Sequence, residues 1–230
     1  MPDAAAPREL HPDPAPPLPP AIQGVQRPAL WALFAMAAIA VPAAAYFMNP
    51  PSKLPVIARL PEFQLTDQEG RSFSRSDLDG KVWVADFVFT SCSGICPLLT
   101  ARMKTLQDHL ARDGRLGQVK LLSLTVDPAN DTPAKLKEYA KRFNADPAAW
   151  HFVTGASEPV QKAIVEGFHM AMGKVPTKEN PVDANDFEIV HGQKFVLVDR
   201  QGQIRAYYDV EEAEGLERLE QDLAPLARGR

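Results

Sequence analysis

From residue 60 onward, hydrophobic and polar positions form blocks of strand and helix length. Residues 82–90 and 119–126 are nearly continuous apolar runs, which is typical of strands buried on both faces. Between them, residues 97–112 carry an apolar side chain at every third or fourth position, which predicts an amphipathic helix. The pattern therefore predicts a strand–helix–strand unit.

Further elements flank this unit on both sides. Thr132 followed by Pro133 indicates the start of a helix that Thr132 caps. Strands that alternate with helices, followed by an antiparallel hairpin and a last helix, predict an α/β sandwich around a mixed sheet. The expected elements are a hairpin about the turn 67–70, a helix at 133–143, a strand at 151–154, a helix at 160–168, a long polar loop at 173–186, a hairpin of 194–199 and 203–208, and a helix at 211–224 ended by Pro225.

The first 60 residues differ from the rest in composition. Residues 1–28 contain nine of the 22 prolines, so we expect a disordered tail there. Residues 29–48 carry no charged side chain and are numerous enough to cross a bilayer, so we expect one transmembrane helix as an anchor. A signal peptide cleaved at Ala43-x-Ala45 is the alternative. Residues 49–60 are expected to form a Pro-rich linker and residues 61–230 one domain.

Composition and charge exclude several functions. The net charge is −4 and no basic stripe carries interleaved aromatic side chains, so we expect no nucleic-acid partner. The acidic residues Asp3, Glu9 and Asp13 in the tail are untypical of a mitochondrial transit peptide. The chain has two cysteines, too few for a multi-bridge disulfide framework or a four-cysteine zinc site.

Those two residues, Cys92 and Cys96, follow the first apolar run and are four positions apart. In a helical turn this spacing places both sulfur atoms on one face, where they can form a redox disulfide or bind one soft metal ion. Pro97 favours the first position of a helix, so we expect Cys96 at the helix N-terminus with a lowered thiol pKa. A structural disulfide is the alternative, although so short a loop constrains the unfolded chain little.

A third ligand would strengthen a metal site, and His191 is the candidate among five histidines. It comes shortly before the strand predicted at 194–199. If the sheet resembles that of thioredoxin, this position faces the cysteine turn, where thioredoxins place a cis-proline. No proline occurs between Pro181 and Pro225, so His191 can fill that space. The alternative is an ordinary histidine at a strand edge.

Together these residues indicate a family. The segment FVFTSCSGICP at 87–97, the segment SLTVDP at 123–128 with DTP at 131–133, and His191 closely resemble the Sco/SenC family over about residues 55–225. The resemblance implies a membrane-anchored, thioredoxin-like protein that delivers copper during assembly of cytochrome c oxidase. It also implies that Cys92, Cys96 and His191 are the copper ligands. The family often has an acidic residue before this histidine, where the chain has Val190, so the partner of the imidazole stays open.

We therefore expect a copper metallochaperone in the bacterial inner membrane, with a single-pass anchor and the C-terminal domain in the periplasm. Its expected partner is the copper-receiving subunit of cytochrome c oxidase, at the dinuclear copper centre. The rival is a thiol–disulfide oxidoreductase acting on the oxidase or another exported protein, because the same cysteines support exchange. A peroxidase is a weaker third possibility. His191 separates the first two, since a copper carrier needs it and exchange does not.

Two carboxylates lie close to these segments in sequence. Asp127 is either a ligand or base, or a turn residue together with Pro128 and Asn130. Asp86 lies inside the first apolar run, where a carboxylate has to be paired or lie at the sheet edge.

Overall fold

The structure, a computed structural model, describes residues 28–48, 54–170 and 194–228. The chain divides into two compact units, Met1–Met48 and Asn49–Arg230. In the first unit, Pro28–Met48 forms helix α1, which covers the run predicted as an anchor. Across the described residues, no helix is identified as both long and apolar enough to span a membrane. Apart from Pro28, the predicted tail lies outside the described residues.

The second unit is built on a mixed sheet, as the pattern of apolar blocks predicts. Within the described residues the strands are β1 (Ala58–Arg59), β2 (Gln64–Asp67), β3 (Ser72–Ser74), β4 (Val82–Val88), β5 (Val119–Thr125), β6 (Trp150–Thr154), β7 (Lys194–Val198) and β8 (Gln203–Asp209). These eight strands form one sheet in the spatial order β1-β8-β7-β4-β5-β6-β2-β3. The three strands β4, β5 and β6 are parallel, and the other pairings are antiparallel.

Helices cover both faces of this sheet. Because successive side chains of a strand point to opposite faces, Val82 and Val84 of β4 join one buried cluster while Trp83 and Ala85 join the other. The helices of this unit within the described residues are α2 (Cys96–Arg112), α3 (Pro133–Arg142), α4 (Ser157–Lys162) and α5 (Ala213–Arg228), with a 3-10 turn at Arg75–Leu78 and a π turn at Ala163–Gly167. The first cluster is covered by α2, α3 and α5, and the second by α4 and the π turn that continues it.

Local sequence signals account for several of these boundaries. The β2–β3 hairpin turns at Gly70, whose φ of 78° a residue with a side chain rarely adopts. Asp67 accepts hydrogen bonds from the backbone N–H groups of Glu69 and Arg71 at 2.9 and 2.8 Å. Thr132 caps α3 by accepting from the backbone N–H of Lys135 at 3.4 Å. The predicted hairpin and helix start are therefore confirmed.

Two expectations about the ends of the domain need correction. The last helix does not end at Pro225, which lies inside α5. Leu223 and Ala227, on either side of it, are each 1% exposed, so their burial offsets the backbone hydrogen bond that proline removes. At the other end, the composition predicts Ala58 and Arg59 in the linker, but they pair with β8 as strand β1. The polar loop expected at 173–186 lies outside the described residues.

Candidate metal centre

Both cysteines lie where the central strand β4 passes into helix α2. Cys92 is half-buried in the loop, and its backbone N–H donates to the carbonyl of Phe89 at 3.2 Å. Cys96 is the first residue of α2 and is 4% exposed. Both are free thiols. The sequence prediction that Cys96 begins a helix followed by Pro97 is confirmed.

The expected lowering of the Cys96 pKa is wrong. Burial, together with a hydrogen bond with the Cys92 thiol, raises the pKa of this thiol to about 12. The helix N-terminus favours a thiolate, but the cost of placing a charge away from water exceeds that effect. The interaction between the two thiols also shows that they are neighbours. At neutral pH the Cys96 sulfur therefore carries its proton until a metal ion or an oxidant displaces it.

A buried carboxylate, Asp131, holds the start of the cysteine loop. Its two oxygens accept from the hydroxyl of Thr90 at 2.5 Å, the backbone N–H of Thr90 at 3.1 Å and the hydroxyl of Thr125 at 2.6 Å. Asp131 is 0% exposed, so these donors replace the water that a carboxylate needs. In the sequence Asp131 stands out only as part of the segment DTP at 131–133, and this role becomes visible only in the folded protein.

Asp127 is part of the turn between β5 and α3. The side-chain amide of Asn130 donates to both of its carboxylate oxygens, at 3.1 and 2.9 Å. Its backbone carbonyl accepts from the N–H groups of Asn130 and Asp131. These contacts use the Asp127 carboxylate within the turn between β5 and α3, in agreement with the interpretation as a turn residue.

Asp86 is buried inside the sheet and not at its edge. It lies on β4, the fourth of the eight strands in spatial order, and is 0% exposed. The hydroxyl of Ser123 on β5 donates to its Oδ1 at 2.5 Å. Of the two alternatives for a carboxylate in this strand, Asp86 is therefore paired, with Ser123 as its partner.

His191, the predicted third ligand, lies outside the described residues, so its role stays a prediction. Strand β7 begins three residues later and runs antiparallel to β4, with Ala85 opposite Val196. The start of β7 therefore lies beside the C-terminal end of β4, where β4 leads into the cysteine loop. Within ranges 28–48, 54–170 and 194–228, no group of three or more His, Cys, Asp or Glu side chains could hold a metal ion.

The other described histidines have different surroundings. His109 on α2 lies with its Nδ1 2.6 Å from Oε1 of Glu220. The ring of His151 packs against Phe73 with the ring centroids 5.0 Å apart, and burial lowers the pKa of His151. His169 is exposed. None of these three comes together with the cysteines in a group able to hold a metal ion.

Comparison with known proteins agrees with the resemblance seen in the sequence. The family model described as SCO1/SenC matches residues 56–227. A SCO1/SenC family lipoprotein from Bacillus anthracis is 32% identical, with a TM-score of 0.67, and the match covers 77% of this chain and 99% of that one.

Two further solved structures are similar. BsSco, described as a member of the Sco family of cytochrome c oxidase assembly proteins with a disulfide switch, is 30% identical with a TM-score of 0.64, over 78% of this chain and 99% of its own. ScoI of Bradyrhizobium japonicum, solved with copper bound, is 26% identical with a TM-score of 0.56, over 71% of this chain and 99% of its own. The curled mixed sheet with its flanking helices is the fold of these proteins.

Proposed function

Because this chain belongs to the SCO1/SenC family, we propose that it is a copper metallochaperone that delivers copper to the dinuclear copper centre of cytochrome c oxidase. The observation that carries the proposal is the neighbouring pair of free thiols, Cys92 and Cys96, at the start of α2. A relative of the same fold has been solved with copper bound. The partner would be the oxidase subunit that receives the copper.

The donors of this site fit Cu(I), which is the cargo of the proposed reaction. Thiolates are soft ligands and select Cu(I) over harder ions. We propose His191 as the third ligand, since an imidazole completes a site able to hold Cu(II) as well. Both thiols have to lose their protons when copper binds, so affinity falls as the pH falls. A disulfide between them removes both donors.

The oxidation state of the thiols should decide whether copper binds at all. We expect the reduced full-length protein to bind one Cu(I) per chain and the disulfide form to bind none, because only thiolates supply the donors that Cu(I) prefers. Anaerobic titration against a chromophoric Cu(I) chelator measures both forms. Equal binding by the reduced and oxidised protein would show that copper binds elsewhere.

Thiol–disulfide exchange is the second candidate function of the same pair. Two adjacent free thiols favour it, and BsSco is described as having a disulfide switch. The pKa of Cys96, about 12, opposes a role for this thiol as the attacking group, because only the thiolate attacks a disulfide. Copper delivery therefore remains the first proposal.

We also propose that α1 attaches the protein to the bacterial inner membrane in a single pass, with the C-terminal domain in the periplasm. The charge-free run at 29–48 supports insertion into a membrane, as do its exposed apolar side chains. Trp31, Phe34 and Ile39 are 67%, 68% and 73% exposed. Apolar side chains exposed together along one helix are favourable in lipid and costly in water.

The anchor should keep the protein in the membrane fraction. We expect full-length protein to resist extraction with alkaline carbonate, because a membrane-spanning helix does not leave the bilayer without detergent. Immunoblotting of the washed membranes, with an N-terminal sequence of the recovered protein, measures the outcome. A soluble form that begins near Tyr46 would show a cleaved signal peptide in place of the anchor.

A further inference from the structure

The loop that carries Cys92 lacks regular secondary structure. Residues 89–95 form neither helix nor strand between the end of β4 and the start of α2. A metal site whose ligands have to be ordered on binding loses affinity, because the ordering costs conformational free energy. The separation of the two sulfur atoms therefore depends on what holds this loop at its two ends.

The first end of the loop is held at Thr90. Asp131 accepts from both the hydroxyl and the backbone N–H of Thr90, and the hydroxyl of Thr125 ties the same carboxylate to the end of β5. The Thr125 hydroxyl oxygen in turn accepts from the backbone N–H of Asp127 at 3.0 Å. Two residues before Cys92, the chain is thus fixed to the segment that leads into α3.

The second end of the loop is also held from α3. The hydroxyl of Thr100 on α2 donates to the backbone carbonyl of Cys96 at 2.9 Å. The hydroxyl of Tyr139 on α3 lies 2.8 Å from the same Thr100 oxygen. A threonine hydroxyl has one hydrogen, which Thr100 donates to Cys96, so Tyr139 is the donor to Thr100. The hydrogen bonds thus run in one direction, from Tyr139 through Thr100 to the backbone of Cys96.

The surroundings of Tyr139 make this contact rigid. Tyr139 is 2% exposed and Thr100 is 0% exposed, so water does not compete for their hydrogen bond. The tyrosine ring packs against Phe143 with the ring centroids 5.1 Å apart. Burial is the main cause that raises the pKa of Tyr139, and the charges of Cys96 and Cys92 contribute to the increase. The phenol hydroxyl therefore lies near both sulfur atoms.

Both contacts come from one rigid stretch of chain. Asp131 directly precedes the cap of α3, and Tyr139 lies about two turns along that helix. Because a helix keeps its residues at fixed distances, the span from Thr90 to Thr100 is fixed as well. Both cysteines lie within that span.

We propose that Tyr139, together with Asp131, positions the copper site by keeping the two sulfur atoms at the separation that one Cu(I) ion needs. The inference rests on the proposed function and adds to it a positioning residue that acts through Thr100 and not as a ligand. Without the Tyr139 hydroxyl both sulfur ligands remain, but the first turn of α2 loses its contact with α3. The site then has to be ordered when copper binds, which lowers the affinity.

Tyr139→Phe tests this role, because it removes the hydroxyl and keeps the ring. We expect its Cu(I) affinity to be about tenfold lower than that of the wild type, a loss typical of residues that support metal ligands. Tyr208→Phe is the matched control, since the Tyr208 hydroxyl donates to Asp222 on α5 at 2.8 Å and its removal should leave the affinity unchanged. Chelator competition with the full-length proteins in detergent micelles measures both variants.

Thr100 provides a readout that a purely structural role would not change. Thr100→Ser keeps the hydroxyl and should bind Cu(I) like the wild type, whereas Thr100→Val removes it and should bind about tenfold more weakly. Combining Thr100→Val with Tyr139→Phe should add little to the loss, since both act through one chain of hydrogen bonds.

The other end of the loop keeps the test decisive if the Tyr139 and Thr100 variants do not fold. Thr90→Val should weaken Cu(I) binding and Thr90→Ser should not, because only serine keeps the donor to Asp131. Wild-type affinity in Tyr139→Phe and Thr90→Val, or an equal loss in Tyr208→Phe, would overturn the inference. Absence of Cu(I) binding in the wild type would overturn the proposed function instead.

Discussion

Replacing Cys96 by serine should lower the Cu(I) affinity by more than about 100-fold. This loss is larger than the loss that follows when only a hydrogen-bond partner of a metal ligand is removed. Serine offers a hard, protonated oxygen in place of a soft thiolate. One thiolate and one imidazole then remain as donors. Cys92→Ser should have the same effect, because the account makes both sulfur atoms direct ligands. Chelator competition measures the affinity of each variant.

Ser93→Ala is the matched control for both variants, since Ser93 is an exposed residue of the same loop. Its copper affinity should equal that of the wild type. Cys96→Ser places a hydroxyl at a position that is 4% exposed and can destabilise the fold by about 1–3 kcal/mol. Thermal unfolding of the metal-free proteins therefore has to be measured, to distinguish loss of a copper ligand from loss of structure. A folded Cys96→Ser protein with unchanged copper affinity would exclude Cys96 as a ligand.

The sequence predicts those parts of the fold that depend on local patterns. Strands β4 and β5 are buried on both faces, so their apolar runs are continuous, and the four-residue spacing of Leu99 and Met103 marks the buried face of α2. Strand β1 has two residues and gives no such pattern. It forms because the chain meets the edge of β8, a contact that only the folded protein contains.

The site shows the same limit in its chemistry. A local argument from the helix N-terminus favours a lowered Cys96 pKa, but tertiary burial decides the outcome in the opposite direction. The contact between Asp131 and Thr90 joins residues 41 positions apart, so no spacing rule could have revealed it. For Asp86, the sequence shows an unusual carboxylate in an apolar strand, and the structure supplies its partner, Ser123.

Loss of the His191 imidazole should impair copper binding and delivery while leaving thiol chemistry intact. We expect His191→Ala to weaken copper binding strongly, because one of three proposed ligands is removed. The disulfide between Cys92 and Cys96 should still form and be reduced, since exchange needs only the two sulfur atoms. Copper affinity and thiol–disulfide exchange rate are measured on the same preparation. Unchanged copper affinity with lost exchange would instead assign the histidine to the thiols.

Direct transfer of copper is the measurement that tests the central claim. The copper-loaded full-length protein is mixed anaerobically with the reduced, copper-free domain of the oxidase subunit that carries the dinuclear centre, and the two are separated and their copper measured. The account predicts that copper moves to the recipient from the wild type and much less from His191→Ala. A parallel sample contains the recipient domain with its cysteines oxidised to a disulfide. If the protein reduces that disulfide but transfers no copper to the reduced recipient, the result contradicts copper delivery and assigns the protein to thiol–disulfide exchange.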